Sequence, residues 1–127
     1  MKFEFILSLG RTAFQDAMVV AGTHLGYMER KGKKFRGISD RLQIYLDRLS
    51  YQNTPLLLPS GSGVREEMIK HYGVAEEKIK ILFPPIDVMR FHAELKKQKA
   101  AWRKQFGMPA DKKIFVFVSS NHALKGL

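Results

Sequence analysis

The 127 residues include no cysteine, a single tryptophan and only 12 acids. Without cysteine there is no disulfide framework, no thiolate ligand for zinc and no thiol nucleophile, a composition that fits a reducing compartment. Long apolar runs are also missing: none outlasts residues 17–21, far short of the roughly 18 residues that a spanning helix needs. The opening stretch "MKFEFILSLGR" is broken by Ser8 and carries Glu4, and it falls short of the roughly 7 to 15 apolar residues of a secretory leader. No export is expected. His24, His71, His92 and His122 show no metal-ligand spacing, so no metal and no cofactor is expected. Nor is there a serine–histidine–acid constellation, or a carboxylate pair whose spacing would mark a glycosidase.

What is present is positive charge and enough apolar residues for a core. Twenty-two Lys and Arg give a net +10, and the chain is 45% hydrophobic and 27% charged, which suits about one folded domain. Such a surface attracts anions: nucleic acid, an acidic membrane face or phosphorylated small molecules. The cations gather in "ERKGKKFRG", around residues 31–36, and in "KKQKAAWRK", residues 96–104. Runs of this kind are ordinarily solvated surface. A small basic module that grips nucleic acid or an anionic membrane is the rival reading, since Trp102 lies among Lys99, Arg103 and Lys104 and aromatics between cations stack on bases. Helical spacing opposes it by placing Trp102 on one face with Leu95 and Phe106, so nucleic acid is not expected as a partner.

Patterning along the chain alternates strand and helix. Residues 3–9 read as a strand stopped by Gly10, and residues 17–22 as a short interior strand, followed by a loop. Ile38, Leu42, Tyr45, Leu46 and Leu49 recur at helical spacing, predicting a helix over 38–51 with Arg41, Asp47 and Arg48 outside. Residues 56–58 form a compact strand running into "PSGSG"; a helix follows with Val64, Met68 and Tyr72 on one face, Glu66 and Glu67 in its first turn, and Gly73 as its stop. Residues 79–83 predict another strand, closed by Pro84 and Pro85 because neither donates a ladder hydrogen bond. A helix over 92–106 and an apolar strand over 114–118 complete the pattern. Strands alternating with helices indicate an α/β fold with a parallel sheet.

The run "LPSGSGVREEMIKHYGVAEEKIKILFPPIDVMRF", followed after a basic helix by "MPADKKIFVFVSSNHALKGL", resembles the inter-domain junction of retaining glycosyltransferases of the GT-B fold, the large family four. Upstream, "SLGRTAFQDAMVVAGTHLGY" is similar to members that build the lipopolysaccharide core, of the core glucosyltransferase I type. The resemblance implies a partial GT-B arrangement. Residues 1–88 would be the C-terminal half of the acceptor-side Rossmann-like domain, 89–109 the hinge and linker helix, and 110–127 the first strand and phosphate loop of the donor-side domain.

The same resemblance implies a transfer of a hexose from a nucleotide-sugar to a glycan or lipopolysaccharide-core acceptor, with retention and without a metal. Lys125 and Gly126 match the family's Lys-Gly phosphate loop, with Ser119 and Ser120 at its start, where the family often carries an arginine. His24 matches a histidine that the family sets at a strand end facing the cleft, near the reacting sugar. Arg11, Asp16 and Ser60 are weaker cleft candidates: Arg11 and Asp16 equally suit a pair that closes a loop, and Ser60 suits a turn. The resemblance further implies a cytoplasmic enzyme in peripheral contact with the anionic inner face of the inner membrane. By the family's length, a glycine-rich acceptor loop is expected before Met1 and an acidic sugar-binding motif after Leu127, so the chain alone is expected to show little catalysis.

Overall fold

Apolar residues 17–20 form the central strand of a parallel sheet in the computed structural model, which describes residues 3–34, 37–120 and 122. Strand β1 (Leu7–Ser8) and strand β3 (Leu56–Pro59) flank strand β2 (Ala17–Val20), and both pairings are parallel, with Leu7 beside Ala17 and Met18 beside Leu57. Segment 79–82 continues the sheet beyond β3. Leu57 and Ile79 form a parallel bridge, and the N–H groups of Lys80 and Leu82 donate to the carbonyls of Leu57 and Pro59 at 2.9 Å each. The expected α/β class with a parallel, Rossmann-like sheet is therefore what the chain adopts.

Three helices accompany this sheet: α1 (His24–Arg30), α2 (Ile38–Asn53) and α3 (Ser62–Tyr72). Helix α3 ends as its sequence predicts. Gly73 takes a left-handed conformation (φ +64°) that returns its N–H to Ile69 O and the Val74 N–H to Met68 O, and Val74 then joins Met68 in the core. The helix begins earlier than expected, at Ser62, so Glu66 and Glu67 lie beyond its first turn. Helix α1 stands where a loop was expected; its seven residues, with a glycine inside, are too few to show a period.

The core of the sheet comprises Met18, Val20, Tyr51, Leu57, Met68 and Val74, with a smaller cluster of Leu25, Met28 and Ile44 beneath the helices. Helix α2 has the predicted extent but the opposite phase. Its buried residues are Asp40, Ile44, Asp47, Ser50 and Tyr51, whereas Ile38, Leu42 and Tyr45 are exposed. Asp47, expected outside, is only 1% exposed. The polar face turns inward because charged partners from distant parts of the chain wait there.

Contacts divide the chain after Pro85. In the second unit, Asp87 accepts N–H bonds from Met89 and Arg90 at 3.1 Å each and so closes the turn that follows the prolines. The expected single helix over 92–106 is a 3₁₀ segment, Ala93–Gln98, leading into α4 (Lys99–Gln105). Arg103 spends its guanidinium on the carbonyls of Pro109 (2.7 Å), Ala110 and Lys112 (2.9 Å), clasping the next loop. Residues 114–118, expected as a strand, are extended without a strand partner among the described residues, and Phe115 and Val118 are 92% and 93% exposed. A strand is defined by its neighbour, and here none pairs with it. The same applies to residues 3–9, of which only Leu7–Ser8 pairs, while Phe3, Phe5 and Leu9 stay exposed.

The reversed phase of α2 sets an expectation for stability. Met68→Ala, at a fully buried core position, lowers unfolding free energy by about 2–5 kcal/mol, whereas Leu42→Ala changes it by less than about 1 kcal/mol. Urea unfolding followed by circular dichroism distinguishes the two; equal losses would mean that α2 presents Leu42 to the core.

Candidate functional site

Asp47 projects from the middle of α2 into the space where α1 begins and α3 ends. Three donors converge on it: the Arg11 Nε, the His24 backbone N–H at 3.0 Å and the Tyr72 hydroxyl at 2.7 Å. Tyr72 Oη in turn accepts the Leu25 N–H at 3.1 Å. A carboxylate so deeply buried is tolerated only when it is paired and hydrogen-bonded, and this one is fully served. Burial, together with its bond to Asp47, pushes the Tyr72 hydroxyl's pKa upward; burial, reinforced by Asp47's charge, does the same to Tyr51. Both phenols therefore stay protonated, and the Tyr72 hydroxyl donates to Asp47.

About two turns earlier on the same face, Asp40 lies 3.0 Å from the His24 Nε2 and 2.7 Å from the Lys33 Nζ, and accepts the Gly37 N–H at 3.2 Å. Its hydrogen bonds from Lys33, then from His24 and from the Gly37 amide, hold its carboxyl down at about 2. An ionised carboxylate only accepts, so it takes a proton-bearing Nε2 from His24, and in the neutral imidazole this leaves Nδ1 as an acceptor. The ring also lies against Tyr27, 6.0 Å between centroids.

A second polar clasp fixes the start of α1. Thr23 caps the helix by accepting the Gly26 N–H at 3.0 Å and donates to Glu67 Oε2 at 2.8 Å, while Arg30 pairs with the other oxygen of Glu67. Gly26 lies directly under that carboxyl group, where a Cβ would collide with it.

Of the residues singled out from the sequence, the structure brings His24 and Arg11 to one carboxylate. His24 follows β2 as expected, but as the first residue of α1, with its ring held by Asp40. Arg11 and Asp16 do not pair with each other: Asp16 accepts the Ile6 N–H at 2.7 Å, closing the loop that leads into β2. Ser60 sits half-buried just beyond β3, its N–H donating to Val20 O at 3.0 Å, next to the N-terminus of α3. In the second unit Ser119 is half-buried and Ser120 exposed. Lys125 and Gly126 lie outside the described residues. Among the basic groups, Lys33 is engaged by Asp40, Lys97 by Glu94 and Arg103 by carbonyls, and Arg36 lies outside the described residues. Trp102 borders an apolar recess with Leu95, Phe106 and Met108.

Asp40, Asp47 and Tyr72 escaped the sequence reading as site residues. A signal existed: two acids seven positions apart share one face of α2, and the basic and aromatic partners they need are scattered through the chain. Among the described residues no cluster of three His, Cys, Asp or Glu could hold a metal, and no helix is long and apolar enough to cross a membrane.

Two measurements probe this network. Asp47→Ala strands the Tyr72 hydroxyl and the His24 N–H, and a stranded buried group costs about 1–3 kcal/mol; Tyr72→Phe, which removes one donor and leaves two, loses less in the same urea series. A reversed order would contradict the convergence on Asp47. For Asp40 the folded-state value lies below the ordinary value near 4, so its contribution to stability is present above about pH 4 and disappears as pH falls through about 2. Carboxyl carbon NMR should place its midpoint near 2; a midpoint near 4 would mean that the Lys33 and His24 bonds do not form in solution.

No family model matches this chain. It is 33% identical, over 124 residues, to a protein of Burkholderia thailandensis named as a probable transglycosylase. The match covers 98% of this chain and 34% of the Burkholderia protein, so the chain spans about a third of that relative's length.

Proposed function

We propose that this chain forms part of the cleft of a glycosyltransferase that moves a hexose from a nucleotide-sugar to a glycan or lipopolysaccharide-core acceptor with retention. The observation that carries the reading is the His24–Asp40 pair, set at the start of the helix that follows the central parallel strand. In parallel α/β sheets, ligands gather beyond the carboxyl ends of the strands, where His24, Arg11 and Ser60 all follow strands of this sheet. The name of the Burkholderia relative supports glycosyl transfer in the broad sense. The nucleotide-sugar donor, the acceptor and the retention rest on the resemblance in sequence.

In this reading Asp40 holds the His24 ring through Nε2, and Nδ1 accepts a hydroxyl of the reacting sugar, fixing its approach. Asp47 anchors the His24 backbone and, through Arg11 and Tyr72, keeps α1 from shifting under the substrate. Lys125 and the Gly126 backbone, with Ser119 and Ser120, stabilise the charge that develops on the departing diphosphate. The basic groups bring the protein to the anionic cytoplasmic face of the inner membrane, where its acceptor lies. Transfer from a simple glycoside by a double displacement would instead need a free carboxylate nucleophile roughly 5 Å from an acid. Both buried carboxylates of α2 are already occupied by cations and N–H donors, which favours a donor whose leaving group is itself an anion.

The test is made on the complete gene product. Nucleotide-sugars should act as donors with release of nucleoside diphosphate, and His24→Ala should depress kcat by about 10²-fold with little change in donor affinity or in the unfolding curve. Turnover with glycosides alone would overturn the nucleotide-sugar donor while leaving glycosyl transfer standing; undiminished kcat in the folded variant would remove His24 from the chemistry.

A further inference from the structure

Residues of α1, α2, α3 and the loop after α1 line a recess of about 520 Å³, within the range of roughly 300–1,000 Å³ common for small-molecule sites. Its floor is apolar, made by Leu25 and Met28. Its rim is cationic: Lys33 and Lys34 from the loop after α1, Arg48 from the outer face of α2, and Lys70 and His71 from the last turn of α3. The loop is fixed at its start, because the turn at Gly32 returns the Lys33 N–H to Met28 O at 2.9 Å.

The charges here do not balance within the chain. Glu29 is the one acid on the rim, and it is shared by Lys70 (2.6 Å) and His71 (2.9 Å), whose hydrogen bonds hold its carboxyl below the ordinary range. Lys33 is taken by Asp40. The side chains of Lys34 and Arg48 have no ion-pair or hydrogen-bond partner among the described residues. Like charges held around one concavity repel one another, and the arrangement is relieved by an anion that several of them can share. A phosphate, with three acceptor oxygens and close to two charges, suits a guanidinium fork flanked by ammonium groups better than a single carboxylate does.

We infer that this recess is a binding site for a phosphate ester, with Arg48 as the bidentate contact, Lys34 and Lys70 as flanking cations, and the apolar floor beneath the esterified body. Lys70 turns from Glu29 to the phosphate when the site fills, and the Glu29 carboxylate, 53% exposed, is left to His71 and solvent. The site uses none of the residues assigned to the donor diphosphate, so it stands or falls separately from the transferase reading.

Amide NMR of the isotopically labelled chain tests it with three probes: inorganic phosphate, glucose 6-phosphate, and vesicles with and without phosphatidic acid. Saturable shifts confined to residues 33–34, 48 and 70–71 are expected. Whichever probe saturates them at the lowest concentration identifies a soluble ester or a lipid headgroup as the source. Lys34→Gln with Arg48→Gln should weaken binding at least about tenfold, a loss of about 1.4 kcal/mol, whereas the charge-matched pair Lys80→Gln with Lys113→Gln, outside both basic groups, should leave it unchanged. Arg48→Lys, which keeps the charge and loses the fork, should fall between them and guards against a folding defect in the double variant. Equal weakening by both double variants, or shifts that spread over all lysines without saturating, would reduce the effect to net charge and overturn the site.

Discussion

One buried carboxylate, that of Asp47, holds the helical layer of this protein together. It gathers a guanidinium from the loop after β1, the first amide of α1 and the hydroxyl at the end of α3, so four separated segments meet on two oxygen atoms. A bare carboxylate in that position would be too costly to keep, and its three donors make removal of any one partner expensive for those that remain. Asp40, one heptad earlier, repeats the arrangement at the edge of the same face with Lys33 and His24. The two acids turn α2 so that Ile38, Leu42 and Tyr45 look outward, and they place the histidine ring.

This constraint explains which parts of the structure were legible in the sequence. Residues 17–20, 56–59 and 62–72 could be read because short apolar runs and glycine or proline stops act locally, and Gly73 ends α3 by the conformation that favours glycine. The extent of α2 was equally plain. Its rotation was not, since counting apolar residues favours Ile38, Leu42 and Tyr45, and the case for burying Asp40 and Asp47 depends on Arg11, Lys33, His24 and Tyr72, all distant in sequence. A strand over 114–118 was read from composition alone, but a strand needs a neighbour and none pairs with it among the described residues.

The candidate site was legible in outline. His24 stood out as a histidine after a strand and Arg11 was a weaker candidate beside it, and their shared dependence on Asp47 becomes visible only in three dimensions. The Asp16 carboxylate serves local geometry by accepting the Ile6 N–H, and the Ser60 backbone bonds Val20 beside the start of α3. Both groups of basic residues lose members to internal partners, and Lys34 of the first group shares the rim of a recess with Arg48 and Lys70, which lie outside both groups.

The central claim is that the acids of α2 determine how His24 presents its ring. Long-range proton–nitrogen NMR of histidine-labelled protein at pH 8, where an ordinary imidazole is neutral, reads the tautomer directly. The Asp40 bond predicts a proton on Nε2 and a bare Nδ1, with the signal reverting to a tautomer mixture in Asp40→Asn. A proton on Nδ1 in the unaltered protein, or a spectrum indifferent to that substitution, would contradict the account.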